Sequence, residues 1–194
     1  MRAAANSIRS LHRQEWDRAE SLAVESRGHL DDAQAALRGF PSVYHAGFLH
    51  DGEKEYAEAV ATRALLKGDD VPGPDALAIG DAAWLHGLAE AIGELRRFLL
   101  DRLREGDFTR GEELLAAMDG VLDHLAALDY PDAITHGLRR ATDVARSILE
   151  RTRGDLTATV VQGRLTRALE EHTSTPPAPA TPSADPPEPA PSTG

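Results

Sequence analysis

Apolar residues recur at intervals of three and four along most of the sequence, which is the period of an amphipathic α-helix. The clearest stretch covers residues 82–105, a helix of roughly 36 Å. Its apolar face holds Leu85, Leu88, Ile92, Leu95, Leu99 and Leu103. Runs of β-branched residues are absent, and glycine and proline fall mainly between the periodic segments. The pattern predicts an all-α fold, built as one helical bundle.

The periodic segments predict seven helices within a single domain over residues 1–172. Asp107 and Asp155 each precede such a segment, where a carboxylate can accept hydrogen bonds from the first free amides of a helix. The seven predicted ranges are 2–13, 16–37, 50–67, 82–105, 110–128, 136–152 and 155–171.

The last segment, residues 173–194, differs from the rest in composition. It holds eight of the twelve prolines and no leucine, isoleucine, valine or aromatic residue. Such a segment cannot bury enough apolar surface to offset its ordering entropy, so we expect a disordered, proline-rich tail. It is either a passive solubilising segment or a ligand for a proline-recognising domain.

The amino-acid composition excludes several classes of protein. The absence of cysteine excludes disulfide scaffolds, cysteine zinc fingers, thiol enzymes and iron–sulfur proteins. The formal net charge of −11 disfavours anionic membranes and the usual basic type of nucleic-acid binder. The first residues lack the apolar core of a secretory signal, and no uncharged apolar run approaches ~18 residues. We therefore expect a cytoplasmic protein without a membrane partner.

Two pairs of glutamates stand one turn apart on two predicted helices. Glu55 and Glu58 form the first pair, and Glu90 and Glu94 the second. Like charges at this spacing cost ~0.2–0.5 kcal/mol unless something neutralises them. If the two helices face each other, four carboxylates converge and supply the oxygen ligands that Mg²⁺ or Mn²⁺ prefers. Spacing alone favours a solvated helix face over a metal site. The pattern also lacks the Glu-x-x-His pair of di-iron bundles.

The basic residues are almost all arginine, which suits bidentate contact with phosphate. Two groups are candidates for nucleic-acid contacts. They are Arg9, His12 and Arg13 on the first helix, and Arg139 and Arg140 at the start of the sixth. Neighbouring acids can pair with any of them, so the sequence leaves both roles open.

Several segments resemble one family in a single order along residues 1–160. Residues 45–51 (HAGFLHD) and 54–59 (KEYAEA) are similar to the central signature of the translin family, which includes translin-associated factor X. Residues 85–97 (LHGLAEAIGELRR) resemble its second signature. The segments 128–131 (LDYP), 138–140 (LRR) and 151–156 (RTRGDL) resemble its C-terminal part.

This resemblance implies a seven-helix bundle that assembles into a hollow, octamer-like homo-oligomer and binds single-stranded RNA or DNA. It also implies a Mg²⁺-dependent endoribonuclease. Glu55, Glu58 and Glu90 would hold the metal, with Glu94 as a further ligand or general base. The alternative is a non-catalytic nucleic-acid-binding or structural oligomer whose acids serve only in ion pairs.

Overall fold

A computed structural model describes residues 1–174, and these residues form helices and connecting turns. The prediction of an all-α fold is confirmed. Six of these helices are long. The other three are single turns, and each begins at a proline or at the residue after one. In chain order the helices are α1 (Arg2–His12), α2 (Trp16–Leu37), α3 (Pro41–Tyr44), α4 (Phe48–Lys67), α5 (Pro74–Leu77), α6 (Asp81–Arg104), α7 (Phe108–Ala126), α8 (Asp132–Thr135) and α9 (Leu138–Ser174).

Five of the seven predicted helices agree with the structure within two residues at each end: α1, α2, α4, α6 and α7. The Asp107 side chain caps α7 as expected, because it accepts a hydrogen bond from the backbone N–H of Arg110 at 3.0 Å. The hydrophobic periodicity alone therefore located most of the bundle.

The predicted break between residues 152 and 155 is wrong, since α9 runs through it without interruption. Asp155 does not cap a helix; its carboxylate instead accepts a hydrogen bond from the Arg96 guanidinium on α6 at 2.8 Å. Leu156, on the next position, is fully buried in the core. A glycine inside a helix lowers stability by only about 1 kcal/mol relative to alanine. At Gly154 the ion pair of Asp155 and the burial of Leu156 outweigh this cost.

The chain consists of two compact units, and the first ends at Val160. The first unit, Met1–Val160, contains the core, in which the leucine face of α6 is buried with Leu114 and Met118 of α7 and Leu149 of α9. The described part of the second unit is the last stretch of α9. It exposes Val161, Leu165 and Leu169 at four-residue spacing.

The proline-rich tail predicted for residues 173–194 lies outside the described residues, apart from Thr173 and Ser174, which end α9. Within residues 1–174, no helix combines the length and apolarity that spanning a membrane requires.

Among the contacts between helices α1 to α7, that of α4 with α6 is the most extensive, and it depends on a glycine. A Cβ atom added at Gly87 of α6 would lie 2.6 Å from the Ala57 Cβ, 2.8 Å from the Glu58 nitrogen and 2.9 Å from the Lys54 carbonyl oxygen. These distances are shorter than van der Waals contact, so only glycine allows the two backbones to approach this closely. The approach aligns the acidic segments of both helices.

Gly87→Ala should separate α4 from α6 and lower the free energy of unfolding by ~1–3 kcal/mol, the usual cost of overpacking. Gly93→Ala on the same helix is the matched control, since nothing lies within 4 Å of its added Cβ. That control should gain ~0.5–1 kcal/mol from better helix propensity. Urea unfolding of both variants measures the difference. Equal effects of the two substitutions would contradict the close-approach argument.

Candidate functional site

The four predicted acids come together at the α4–α6 contact. Glu55 and Glu58 of α4 and Glu90 and Glu94 of α6 line one cavity of about 300 Å³, here called the acid cavity. The N-terminal helix α1 contributes Ile8 and Arg9 to the same cavity. Two pairs of acids far apart in sequence therefore share one small space, as their positions on facing helices allow.

Three of these acids have basic partners. The N-terminal ammonium of Met1 lies 4.0 Å from the Glu55 carboxylate. The Lys54 ammonium on α4 donates a hydrogen bond to Glu90 at 2.8 Å. Burial opposes the charged form of Lys54, but this hydrogen bond and the negative charge of Glu90 outweigh it, so the lysine pKa is raised. The His12 Nε2 atom is hydrogen-bonded to Glu94. Lys54 thus partly neutralises Glu90, and Glu94 is held by a hydrogen bond to His12.

Glu58 has no hydrogen-bond or ion-pair partner within the part of the chain that the structure describes. Burial raises the pKa of its carboxyl to about 7, and the charges of Glu90 and Glu94 act in the same direction. A desolvated carboxylate among like charges is unstable unless it binds a proton or a cation. Glu58 is therefore the carboxylate of the acid cavity that a bound cation would stabilise most.

A second cavity of about 670 Å³, here called the imidazole cavity, shares Glu58 and Glu90 with the first. Its other walls include His86 of α6, His136 and Arg140. His50 of α4 packs behind these histidines, with ring centroids 4.8 Å from His136 and 5.9 Å from His86. Burial, followed by the charges of His136 and His86, lowers the pKa of His50.

The predicted nucleic-acid contacts do not form one patch on the chain. Arg9 lines the acid cavity and donates a hydrogen bond to Asn6 at 2.6 Å. Arg140 lines the imidazole cavity, whereas Arg139 lines a third cavity of about 760 Å³ beside α8. Arg13 is exposed at the end of α1.

His12, the fifth predicted contact, points inward. Its ring stacks on Phe98 with centroids 4.6 Å apart, and its side chain is 7% exposed. In this chain the ring orients Glu94 rather than presenting a surface to a ligand.

The donor chemistry of the acid cavity suits a hard divalent cation, because carboxylate oxygens are the preferred ligands of Mg²⁺ and Mn²⁺. Glu58, which has no ion-pair partner among residues 1–174, would supply negative charge to such a cation. Among residues 1–174, however, no three histidine, aspartate or glutamate side chains are already arranged as a metal site. The residues fit a metal in type and charge, and a bound metal would share Glu90 with Lys54 and Glu94 with His12, each of which contacts one carboxylate oxygen.

Sequence reasoning passed over Lys54, His50 and His136. Lys54 stands one turn before Glu58, so its presence beside the acids could have been read from helical spacing. The meeting of His50 with His136 depends on a turn between α8 and α9, for which periodicity carries no signal. His136 and Gly137 both have positive φ there, at 52° and 82°.

No protein-family model matches the chain. Its sequence is 29% identical over 136 residues to an uncharacterized protein of Methanocaldococcus jannaschii, covering 70% of the chain and 60% of that relative. The chain thus spans less than two thirds of that relative's length.

Solved structures give a stronger likeness. A structure of AfC3PO in complex with duplex RNA is 33% identical with a TM-score of 0.76, over 82% of this chain and 83% of that chain. A crystal structure of AfC3PO is 32% identical with a TM-score of 0.71 over the same shares. The crystal structure of apo-NeC3PO, 21% identical with a TM-score of 0.71 over 81% and 82%, is similar in fold.

Glu58→Gln should make the protein less sensitive to alkaline pH. The folded carboxyl has a pKa of about 7 against an ordinary value of 4.5, so the folded state keeps a proton that the unfolded chain has released between these values. Its stabilising effect is complete below the lower value and is lost as the pH rises through the upper one. Near pH ~8 the variant should be about 1–2 kcal/mol more stable than wild type, after discounting for solvent screening.

Urea unfolding across this pH range, in EDTA, measures the effect. Glu112→Gln, at an exposed position of α7, is the control and should shift stability equally at every pH. A constant offset for Glu58→Gln as well would show that the carboxyl is not desolvated.

Proposed function

Because the chain belongs to the translin family, which includes the C3PO proteins, we propose that it binds nucleic acid and cleaves RNA with a divalent cation as cofactor. The observation that carries the proposal is the acid cavity, in which four carboxylates meet and Glu58 lacks a partner. The complex of AfC3PO with duplex RNA supports the choice of ligand class. Single-stranded RNA and DNA are the substrates that the signatures imply.

The proposed roles follow from the positions of the acids. Glu55, Glu58 and Glu90 would hold Mg²⁺ or Mn²⁺, and Glu94 would be a further ligand or the general base. When bound, such a cation lowers the pKa of a bound water and neutralises charge on a phosphoryl group. Lys54 keeps Glu90 oriented through its hydrogen bond, and His12 does the same for Glu94. Arg140 lies close enough to Glu58 and Glu90 to line a cavity with them, where it can bind a phosphate.

A second candidate function is favoured by these same hydrogen bonds. Lys54 already pairs with Glu90 and His12 is hydrogen-bonded to Glu94, and such internal partners are what a purely structural cluster would need. On this alternative the protein binds nucleic acid without cleaving it, and the acids serve to fix α1, α4 and α6 together.

We also propose that the chain forms a homo-oligomer. Exposed aromatic side chains support this, since Phe48 is 73% exposed and Phe40 62% exposed. Large apolar side chains left open on a single chain commonly mark an interface with another. The mass of the protein in solution, with and without an oligonucleotide, tests the proposal.

Glu58→Gln should lower the rate of RNA cleavage in Mg²⁺ by about 10²–10⁴-fold, the usual effect of removing a group that acts on the reacting centre. The amide keeps the shape of the side chain, so binding of RNA in EDTA should persist. The measurement is cleavage of an unstructured RNA, a duplex RNA and a single-stranded DNA, with Glu112→Gln as the control. Full activity of Glu58→Gln would refute the catalytic assignment.

Addition of Mg²⁺ or Mn²⁺ should raise the melting temperature if the acid cavity binds the cation. Ligands that bind only the folded state stabilise it by mass action, by ~2.7 kcal/mol at a concentration one hundred times Kd. The shift should be lost in Glu58→Gln and kept in Glu112→Gln. An unshifted wild-type melting curve, together with salt-sensitive RNA binding, would favour the non-catalytic alternative.

A further inference from the structure

Three imidazoles from three parts of the chain meet beside the acid cavity. His50 comes from α4, His86 from α6, and His136 from the turn that joins α8 to α9. The His50 ring packs against each of the other two, as the centroid distances given above show. The proposed cleavage site uses none of the three, so their clustering calls for a separate explanation.

One hydrogen bond determines which ring nitrogen of His86 carries the hydrogen when the ring is neutral. Its Nε2 atom lies 2.9 Å from the Thr135 carbonyl oxygen, which can only accept a hydrogen bond. Nε2 therefore carries a hydrogen, and Nδ1 is the atom that gains or loses a proton. Protonation of Nδ1 turns His86 from a neutral ring into a cation without breaking the bond to Thr135.

His136 is held in a backbone conformation that residues other than glycine seldom adopt. Its φ is 52°, and Gly137 follows with φ 82°. Left-handed residues of this kind cost of order 1 kcal/mol or more, and they are concentrated at functional sites. Here the conformation turns the chain into α9, and His136 and Arg140 line the imidazole cavity together.

The imidazole cavity is lined by both basic and acidic side chains. His86, His136 and Arg140 are cationic or can become so, whereas Glu58 and Glu90 are acids. Arg140 is exposed and has no ion-pair partner among residues 1–174. The cavity volume of about 670 Å³ falls within the usual range for binding sites of small groups.

We propose that His86, His136 and Arg140 form a phosphate-binding subsite for the nucleic-acid strand, and that protonation of the two imidazoles strengthens binding as the pH falls. The inference rests on the proposed function, because it names where a phosphodiester lies relative to the acids. An arginine and two imidazolium rings give short, charge-assisted hydrogen bonds to phosphate oxygens.

The surrounding charges decide the direction of the pH effect. Burial and the charges of the other two rings lower the pKa of His50, against the opposing influence of Asp51 and Glu53. Glu58 and Glu90 repel a phosphate when they are ionised, and Lys54 offsets this at Glu90. Protonation of Glu58 would also favour phosphate binding at lower pH, so the experiment has to remove that group first.

The test therefore uses Glu58→Gln protein in EDTA, with fluorescence anisotropy of a labelled oligouridylate at constant ionic strength. Between about pH 5.5 and 8, the range in which histidine titrates, Kd should rise roughly tenfold. His136→Asn should remove most of this rise, and asparagine is chosen because it tolerates positive φ. His29→Asn, at an exposed histidine of α2, should leave the rise unchanged.

Arg140→Gln tests the contribution of the guanidinium, whose charge is constant, separately from that of the two imidazoles. It should weaken binding about tenfold at every pH, since guanidinium does not titrate in this range. Arg151→Gln, at an exposed position of α9, is the matched control. If His136→Asn and Arg140→Gln both bind as tightly as the parent at every pH, the subsite is refuted while RNA binding stands.

Inorganic phosphate gives a readout that does not depend on RNA. The imidazole resonance of His136, identified by its loss in His136→Asn, should shift when phosphate is added, and that of His29 should not. A shift without any RNA binding supports the subsite and refutes the proposed function. Absence of both the shift and RNA binding refutes both proposals.

Discussion

The close approach of α4 and α6 at Gly87 is the constraint on which the rest of the molecule depends. Without a side chain at that position, the two backbones reach a separation that places Ala57 and the Glu58 amide directly against α6. Both helices carry their acids near this point, so one packing contact determines the core and the acid cavity together. Helix α1 then covers the cavity through Ile8 and Arg9. Stability and the candidate chemistry thus rest on the same glycine.

Charge is distributed in a way that the net value of −11 does not describe. Four of the acids are gathered in one cavity, where Lys54 pairs with Glu90 and the N-terminal ammonium lies near Glu55. The arginines that could meet a polyanion are placed around this cluster at separate openings. An acidic protein can therefore present local cationic groups to phosphate, provided that its acids are withdrawn from the same surface or neutralised.

Helical periodicity predicted most of the fold because the core-facing residues of α6 and α7 repeat without interruption. It failed at Gly154 and Asp155, where a glycine and an aspartate read as a helix boundary but Arg96 holds the carboxylate within one helix. Spacing also predicted which acids would meet if α4 and α6 faced each other. It could not predict the histidine cluster, because that depends on two successive left-handed residues and on contacts between segments up to 86 positions apart.

Glu58 and Glu90 belong to the walls of two cavities at once. A change in the charge of either carboxylate therefore alters the electrostatic potential in both cavities. By thermodynamic linkage, whatever is bound on one side changes affinity on the other by the same factor in each direction. If the acid cavity binds a cation and the imidazole cavity a phosphate, as proposed, each would favour the occupancy of the other through this shared wall.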